Sequence, residues 1–142
     1  RQPVLSLFRG DVSYWNPDPT YIPELPVGED RMALPVSATF DAAELAAQLP
    51  PSVTIVEPPS PITIGADSGT QVVLQHTGPG LDYCPVACVN AMLQSTGRGA
   101  FLQDGVARRF VVVDVDGRPL VIVTTGPIGD AMLPLITIDP SA

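Results

Sequence analysis

The two cysteines are the residues of this chain whose chemistry depends most on spacing. Cys84 and Cys88 are its only cysteines. At a helix entrance, positions four apart bring two Cα atoms close enough for a bridge, and the proline-rich, lysine-free composition favours an oxidising compartment. We therefore favour a structural disulfide. Free thiols remain an alternative, as does a redox or zinc site with His76 and Asp82, although the spacing matches no common zinc pattern.

A second candidate is a serine with a histidine. The segment Ala66-Asp67-Ser68-Gly69 resembles the nucleophile segment of trypsin-like serine proteases, which implies a hydrolase using Ser68 and His76. In those proteases, however, the histidine precedes the serine by a long stretch, whereas His76 follows Ser68 closely. The pattern Gly-x-Ser-x-Gly is absent as well. We interpret the segment as a turn and expect no enzymatic activity, with the hydrolase kept as an alternative.

Aromatic residues between prolines form the third candidate. Tyr14, Trp15 and Tyr21 lie in a stretch with prolines at positions 17, 19, 23 and 26. Such aromatics can stack on sugars or hold a peptide, so these three residues predict a ligand or partner surface. For Trp15 we favour the alternative that it anchors this stretch in the core.

Motifs for cofactors are incomplete. Asp114-Val115-Asp116-Gly117 begins like a calcium loop but lacks the later ligands. Gly97-Arg98-Gly99 has no third glycine and no preceding strand pattern, so it is not a dinucleotide fingerprint. We expect no cofactor and no metal site.

Composition limits the partners. The 142 residues include 15 Asp and Glu against 7 Arg, with a net charge of −8. This balance argues against nucleic acid or an anionic membrane as the partner. No stretch approaches the roughly 20 apolar residues of a membrane span. Because the chain begins at Arg1 without a leader, we expect a trimmed piece or a mature product whose leader has been removed.

The element that must position the rest is a hairpin. Asp116-Gly117 is typical of a type I′ turn, and β-branched residues flank it on both sides. Placing the turn there pairs Val115 with Arg118, Val113 with Leu120 and Val112 with Val121. Both faces are then apolar, which predicts a hairpin inside a sheet that is covered on both sides.

The remaining patterns predict an α+β fold, mostly an antiparallel sheet of roughly five to seven strands with one or two short helices packed on it. We expect one domain, 1–142, with a proline-rich irregular arm at 10–35 and a sheet-plus-helix body at 36–142. Helices are predicted at Asp41–Leu49, where Asp41 is the N-cap, and at Pro85–Ser95, with a helical turn in 128–135. Strands are predicted at 4–8, 53–56, 62–64, 70–76 and 136–138, with a break at Pro58–Pro61 and a loop at 97–105.

From Phe40 onwards, the order of helix, paired short strands and Val113–Val123 hairpin resembles uncharacterised secreted or lipid-anchored domains of high-GC Gram-positive bacteria, broadly similar to the PsbP-like α/β sandwich. The resemblance covers about two-thirds of the chain and carries no catalytic residue over. It implies an extracytoplasmic location and a binding or sensing role.

These observations lead us to expect a non-enzymatic extracytoplasmic module that binds a protein, a cell-envelope polymer or a small ligand. One alternative is a structural or assembly subunit that clasps a neighbour with its proline-rich arm, and the second is the hydrolase of Ser68 and His76. The oligomeric state is left open.

Overall fold

The computed structural model describes residues 4–9, 12–14, 35–79, 88–94 and 98–138; of residues 88 and 93 it describes the backbone. The strands are β1 (Leu5–Arg9), β2 (Val12–Tyr14), β3 (Val53–Ile64), β4 (Asp67–His76), β5 (Cys88–Gln94), β6 (Gly99–Gln103), β7 (Ala107–Val115) and β8 (Arg118–Thr124). The helices are α1 (Ala42–Gln48) and α2 (Gly126–Met132), and a 3-10 turn follows at Leu133–Leu135. Neither described helix has the length and apolar character needed to cross a membrane.

The β7–β8 hairpin has the predicted turn and register. Asp116 and Gly117 have φ angles of 53° and 80°, the left-handed conformation of a type I′ turn. Val115 pairs with Arg118, and the same register continues to Arg109 and Thr124. β7 lies between β4 and β8, and β8 lies between β7 and β1. The prediction of an interior hairpin is confirmed.

The strands form two antiparallel sheets. The main sheet has five strands in the order β1-β8-β7-β4-β3, and the second sheet has three in the order β2-β5-β6. Together with the two short helices, this arrangement confirms the predicted α+β class, although the described strands number eight in two sheets rather than five to seven in one.

The two central strands of the main sheet that form the hairpin, β7 and β8, are buried on both faces. On its inner face, Phe110 and Val112 of β7 join a core with Leu45 of α1 and with Met92 and Leu102 of the second sheet. The outer face carries a second core, in which the chain after α2 covers the strands. That outer core contains Ile64, Val111, Val113, Val115, Leu120, Ile122 and Leu133, with Leu5, Ile62, Ile136 and Ile138 packed against it. Because both faces bury apolar side chains, β7 reads as a nearly continuous apolar strand.

Helix α1 begins as the sequence predicts. The Asp41 side chain accepts a 2.8 Å hydrogen bond from the backbone N–H of Glu44, which satisfies one of the donors left unpaired at a helix start. Leu45 is the fully buried residue of this helix. The predicted helical turn at 128–135 is confirmed as well, by α2 and the 3-10 turn.

The predicted helix at Pro85–Ser95 is wrong. Residues 88–94 form strand β5, which pairs with β2 and β6, and residues 85–87 and 95 lie outside the described part. The predicted loop at 97–105 contains strand β6, which pairs with β5. Val89, Ala91 and Met92 are buried between the sheets. Long-range pairing overrides a weak local helix signal here.

The predicted break at Pro58–Pro61 is also wrong. β3 runs through this segment, with register irregularities between Ile55 and Glu57 and between Glu57 and Ser60. β3 is the last strand in the order of the main sheet. An edge strand tolerates proline because one side of its backbone needs no partner, and bulges absorb the misfit.

The predicted strand at 136–138 is wrong as well, since these residues follow the 3-10 turn as extended chain outside both sheets. The alternation of apolar and polar residues in this segment has a different cause. Ile136 and Ile138 pack on the outer core, while Thr137 between them is exposed.

Most of the predicted arm at 10–35 lies outside the described residues. Its two ends are close to each other. Ser13 of β2 forms a bridge with Pro35, and the N–H of Val36 donates a 2.9 Å hydrogen bond to the carbonyl of Val12. The chain therefore leaves the second sheet at Tyr14 and returns beside it before entering α1.

Candidate functional site

The segment Ser37–Phe40, which leads into α1, separates two hollows on the inner side of the molecule. The hydroxyl of Thr70 donates a 2.7 Å hydrogen bond to the carbonyl of Ala38 and so ties this segment to β4. The N–H of Thr39 donates to the Ser37 hydroxyl at 3.2 Å. Thr39 and Phe40 line both hollows. We call this segment the dividing wall.

The first hollow, which we call the α1 pocket, has a volume of about 360 Å³. Its described lining residues are Tyr14, Pro35, Ser37, Thr39, Phe40, Glu44, Ala47 and Gln48. Apolar walls with a few converging polar groups are typical of sites for small ligands, and the volume falls in their usual range. The lining comes from β2, the dividing wall and one side of α1, so only the folded chain assembles it.

Tyr14 is the most buried polar residue of the α1 pocket, with 6% of its surface exposed. Burial, and secondly the negative charge of Glu44, raise the pKa of the Tyr14 phenol to about 12. Both causes disfavour the phenolate. Within the part of the chain that the structure describes, the Tyr14 hydroxyl has no hydrogen-bond partner, so it is available to a ligand.

Glu44 lies at the rim of this pocket beside the helix cap. Its pKa is raised by a side-chain hydrogen bond with Asp41 and by the charge of Asp41. The pKa of Asp41 is lowered, chiefly because its side chain accepts the backbone N–H of Glu44. The two described ion pairs of the protein both involve Arg109, so neither of these carboxyl groups is neutralised by a described base.

The second hollow, which we call the hairpin cleft, has a volume of about 490 Å³. Ser68 and Thr70 of β4 and Asp114 of β7 belong to the main sheet, and the bulged part of β3 adds Pro59, Ser60 and Pro61. Ala38, Thr39 and Phe40 of the dividing wall and Gly69 complete the described lining. An oxygen of Asp114 accepts a 2.7 Å hydrogen bond from the N–H of Gly117, which fixes this carboxylate next to the turn.

The described linings of the two hollows share one electrostatic property. Each contains one carboxylate, Glu44 or Asp114, and neither contains an arginine. Arg108 and Arg109 act elsewhere. Arg108 is buried, which lowers its pKa to about 10, and it donates to Thr125 and to the carbonyl of Phe101. The hollows therefore favour neutral or positively charged ligands over anions.

The structure places one of the three predicted aromatic residues at a hollow. Tyr14 lines the α1 pocket, whereas Trp15 and Tyr21 lie outside the described residues. The combined surface of all three stays a prediction.

Of the two cysteines, Cys84 is outside the described residues too, and the backbone of Cys88 begins β5 rather than a helix. The disulfide therefore stays a prediction, without the helical geometry first assumed for it.

Ser68 and His76 do not come together. They stand at opposite ends of β4, eight positions and about 26 Å apart at the usual rise of a strand. His76 is fully buried, and its Nδ1 lies 2.9 Å from the hydroxyl oxygen of Ser52. Its Nε2 is buried and has no hydrogen-bond partner among the described residues. This geometry leaves no substrate access to His76 and gives a Ser68–His76 hydrolase no support.

Sequence reasoning missed several lining residues. Glu44 lies within the predicted helix but was not singled out as a site residue, and neither was the alternation of Ser68 and Thr70 on one strand face. That alternation is the one signal that could have marked the cleft, since residues two apart share a face. Within the described residues, no three His, Cys, Asp or Glu side chains are grouped as metal ligands.

Comparison with known proteins gives no relative from which a site could be transferred. No family model matches the chain, nor does any curated protein or any solved structure. The functional interpretation therefore depends on the geometry of the two hollows.

Proposed function

We propose that this chain is a non-enzymatic extracytoplasmic module that binds a protein, a cell-envelope polymer or a small ligand in the α1 pocket and the hairpin cleft. The observation that supports this most is the pair of hollows on either side of Thr39 and Phe40, of about 360 and 490 Å³. Both volumes lie in the range of ordinary ligand sites. A ligand that extends over the dividing wall would contact both.

Binding is tested by two-dimensional NMR of the labelled full chain with a panel of short saccharides, amines and peptides. We expect shifts at Thr39, Ser68 and Thr70. Ser68→Trp fills the hairpin cleft from an exposed position and should remove the shifts there. Thr137→Trp is the matched control, because Thr137 is exposed beside the outer core. Shifts that survive Ser68→Trp at Ser60 and Thr70 would count against the hairpin cleft as the site.

The extracytoplasmic location rests on the composition, the predicted Cys84–Cys88 bridge and the resemblance to secreted domains. Intact mass after alkylation, with and without prior reduction, tests it. We expect alkyl groups to attach only after reduction. Labelling of both cysteines without reduction would instead indicate a reducing compartment and would count against this part of the proposal.

A structural or assembly role is the second candidate, and the apolar surface at α2 favours it. Ile128 and Leu135 are 71% and 80% exposed, and Met132 between them is 38% exposed. In a helical segment this spacing places them on one side. Sedimentation of the wild type and of Ile128→Glu/Leu135→Glu discriminates the two roles. An oligomer that the double variant dissociates supports assembly, and a monomer in both argues against it.

A further inference from the structure

The α1 pocket offers a ligand two polar groups, the hydroxyl of Tyr14 and the carboxylate of Glu44. Tyr14 is 6% exposed, and its hydroxyl has no hydrogen-bond partner within the described residues. Among the described side chains, the one polar atom that is both buried and unpaired is Nε2 of His76, so the Tyr14 hydroxyl still reaches water through the pocket. Since Tyr14 lines the pocket, a bound ligand would replace that water as the partner of the hydroxyl.

The second group is the carboxylate of Glu44, an exposed residue whose side chain is hydrogen-bonded with Asp41 at the rim of the pocket. It lines the same pocket, and its charge acts on the Tyr14 phenol. Its nearest titratable neighbour in the helix cap is another carboxyl group, Asp41, rather than a base. Both described ion pairs belong to Arg109. A positive charge in the α1 pocket would relieve the repulsion between these two carboxylates.

We propose that the α1 pocket binds a positively charged amino group on an aliphatic stem, with the Glu44 carboxylate and the Tyr14 hydroxyl as its partners. This inference rests on the proposed function, because it names the ligand class of one of the two hollows.

The chemistry of the lining suits this ligand. An ammonium group has three donors and no acceptor, and the Glu44 carboxylate, the Tyr14 hydroxyl and the Gln48 amide oxygen are acceptors. Charge-assisted hydrogen bonds of this kind are stronger than hydrogen bonds between neutral groups. Pro35, Phe40 and Ala47 provide apolar surface for the stem. Anionic groups, such as phosphate or a carboxylate, would instead meet like charge.

Such an amino group can belong to a free small amine or to a lysine side chain of a partner protein. Calorimetry with the full chain distinguishes the sources. The probes are cadaverine and the capped peptide Ala-Lys-Ala, and the control is the same peptide with an acetylated lysine. Tight binding of the peptide alone identifies a protein lysine as the ligand, and tight binding of cadaverine alone identifies a small amine. Both results support the proposal.

Three variants localise the charge. Glu44→Gln keeps the backbone N–H that Asp41 caps and should weaken binding about 10-fold or more, and Tyr14→Phe about 3-fold to 10-fold. Glu57→Gln is the matched control. It removes one carboxylate whose side chain is 59% exposed and which pairs with Arg109, while Arg109 keeps Asp130 at 3.2 Å. The affinity of Glu57→Gln should stay within about twofold of the wild type, and salt should weaken binding in both.

Two results would overturn the inference. One is that the acetylated peptide binds as well as the lysine peptide, and the other is that Glu44→Gln binds an amine as tightly as the wild type. If saccharides or neutral peptides shift the NMR signals of Ser68 and Thr70 while amines leave the signals of Thr39 and Gln48 unchanged, the inference fails and the proposed function stands. If no probe affects either hollow, both fail.

Discussion

The hydroxyl of Thr70 on β4 donates a 2.7 Å hydrogen bond to the carbonyl of Ala38, which lies 32 positions earlier in the chain. This bond attaches the dividing wall to the main sheet. Both hollows are bounded by that wall, so this long-range contact helps to set the shapes of both.

Replacing Thr70 with Val should destabilise the protein by about 1 to 2 kcal/mol, because the Ala38 carbonyl loses its donor while the side-chain shape is nearly kept. Ligand affinity in both hollows should fall at the same time. Thr70→Ser keeps the hydroxyl and is the control. Urea unfolding and the NMR titration measure the two effects. Equal behaviour of the Val and Ser variants would mean that the bond does not hold the wall.

The phenol of Tyr14 should make the stability of the protein depend on pH in alkaline solution. Its pKa is raised from 10.0 to about 12, so between these values the native state holds a proton that the unfolded state has lost. Stability should therefore be fully present below pH 10 and should decline as pH rises toward 12, by at most about 1.4 kcal/mol per pH unit. Tyr14→Phe should lack this decline.

The measurement is urea unfolding of the wild type and of Tyr14→Phe at matched pH values, together with the phenolate absorbance. Subtracting the variant removes the contributions of the other two tyrosines and of Arg108. A difference spectrum that titrates near pH 10 would show that the Tyr14 hydroxyl is not in the buried environment described above.

Gly69 should be intolerant of any side chain. A Cβ at this position would overlap the backbone carbonyl of Val112 on β7, and backbone cannot move aside without breaking the sheet. We expect Gly69→Ala to lower the free energy of unfolding by about 3 kcal/mol or more. Gly65 is the matched control in the turn of the same hairpin. It has a φ of 62° and open space around it, so Gly65→Ala should cost only about 1 kcal/mol of backbone strain. Thermal unfolding compares them, and equal losses would contradict the close approach.

His76 should be replaceable by an apolar residue of similar size. Its Nε2 is buried with no hydrogen-bond partner in the part of the chain that the structure describes, and Ser52 at its Nδ1 is only half-buried and can turn to water. His76→Leu should therefore change the free energy of unfolding by less than about 1.5 kcal/mol. His76→Ala should cost about 2 to 4 kcal/mol because it leaves a cavity. If Leu is as damaging as Ala in urea unfolding, the polar contacts of the imidazole matter more than its volume.

The hairpin and the first helix follow from short-range sequence patterns. Asp116-Gly117 supplies two residues that accept positive φ, and the alternation beside it fixes both register and burial. Asp41 caps α1 through a bond to a residue three positions away. Such elements can be predicted because their determining contacts lie within a few residues of each other.

The other elements depend on partners that are distant in the chain. Residues 88–94 become a strand because β2 and β6 offer them hydrogen bonds and a buried face. Conversely, residues 136–138 alternate like a strand but find no partner in either sheet. Pro58–Pro61 remains in a strand because β3 is at the edge. A local pattern cannot specify which of these environments a segment will meet.

The sequence by itself determined the central hairpin, the capped helix, the antiparallel α+β class and the acidic balance that disfavours anionic partners. Only the tertiary structure decided that Tyr14 and Glu44 meet in one pocket and that Ser68 and His76 do not meet at all. The physical reason is that a pocket is defined by backbone paths that bring distant residues together. Those paths are set by the packing of two sheets around a shared core, which no short window of sequence encodes.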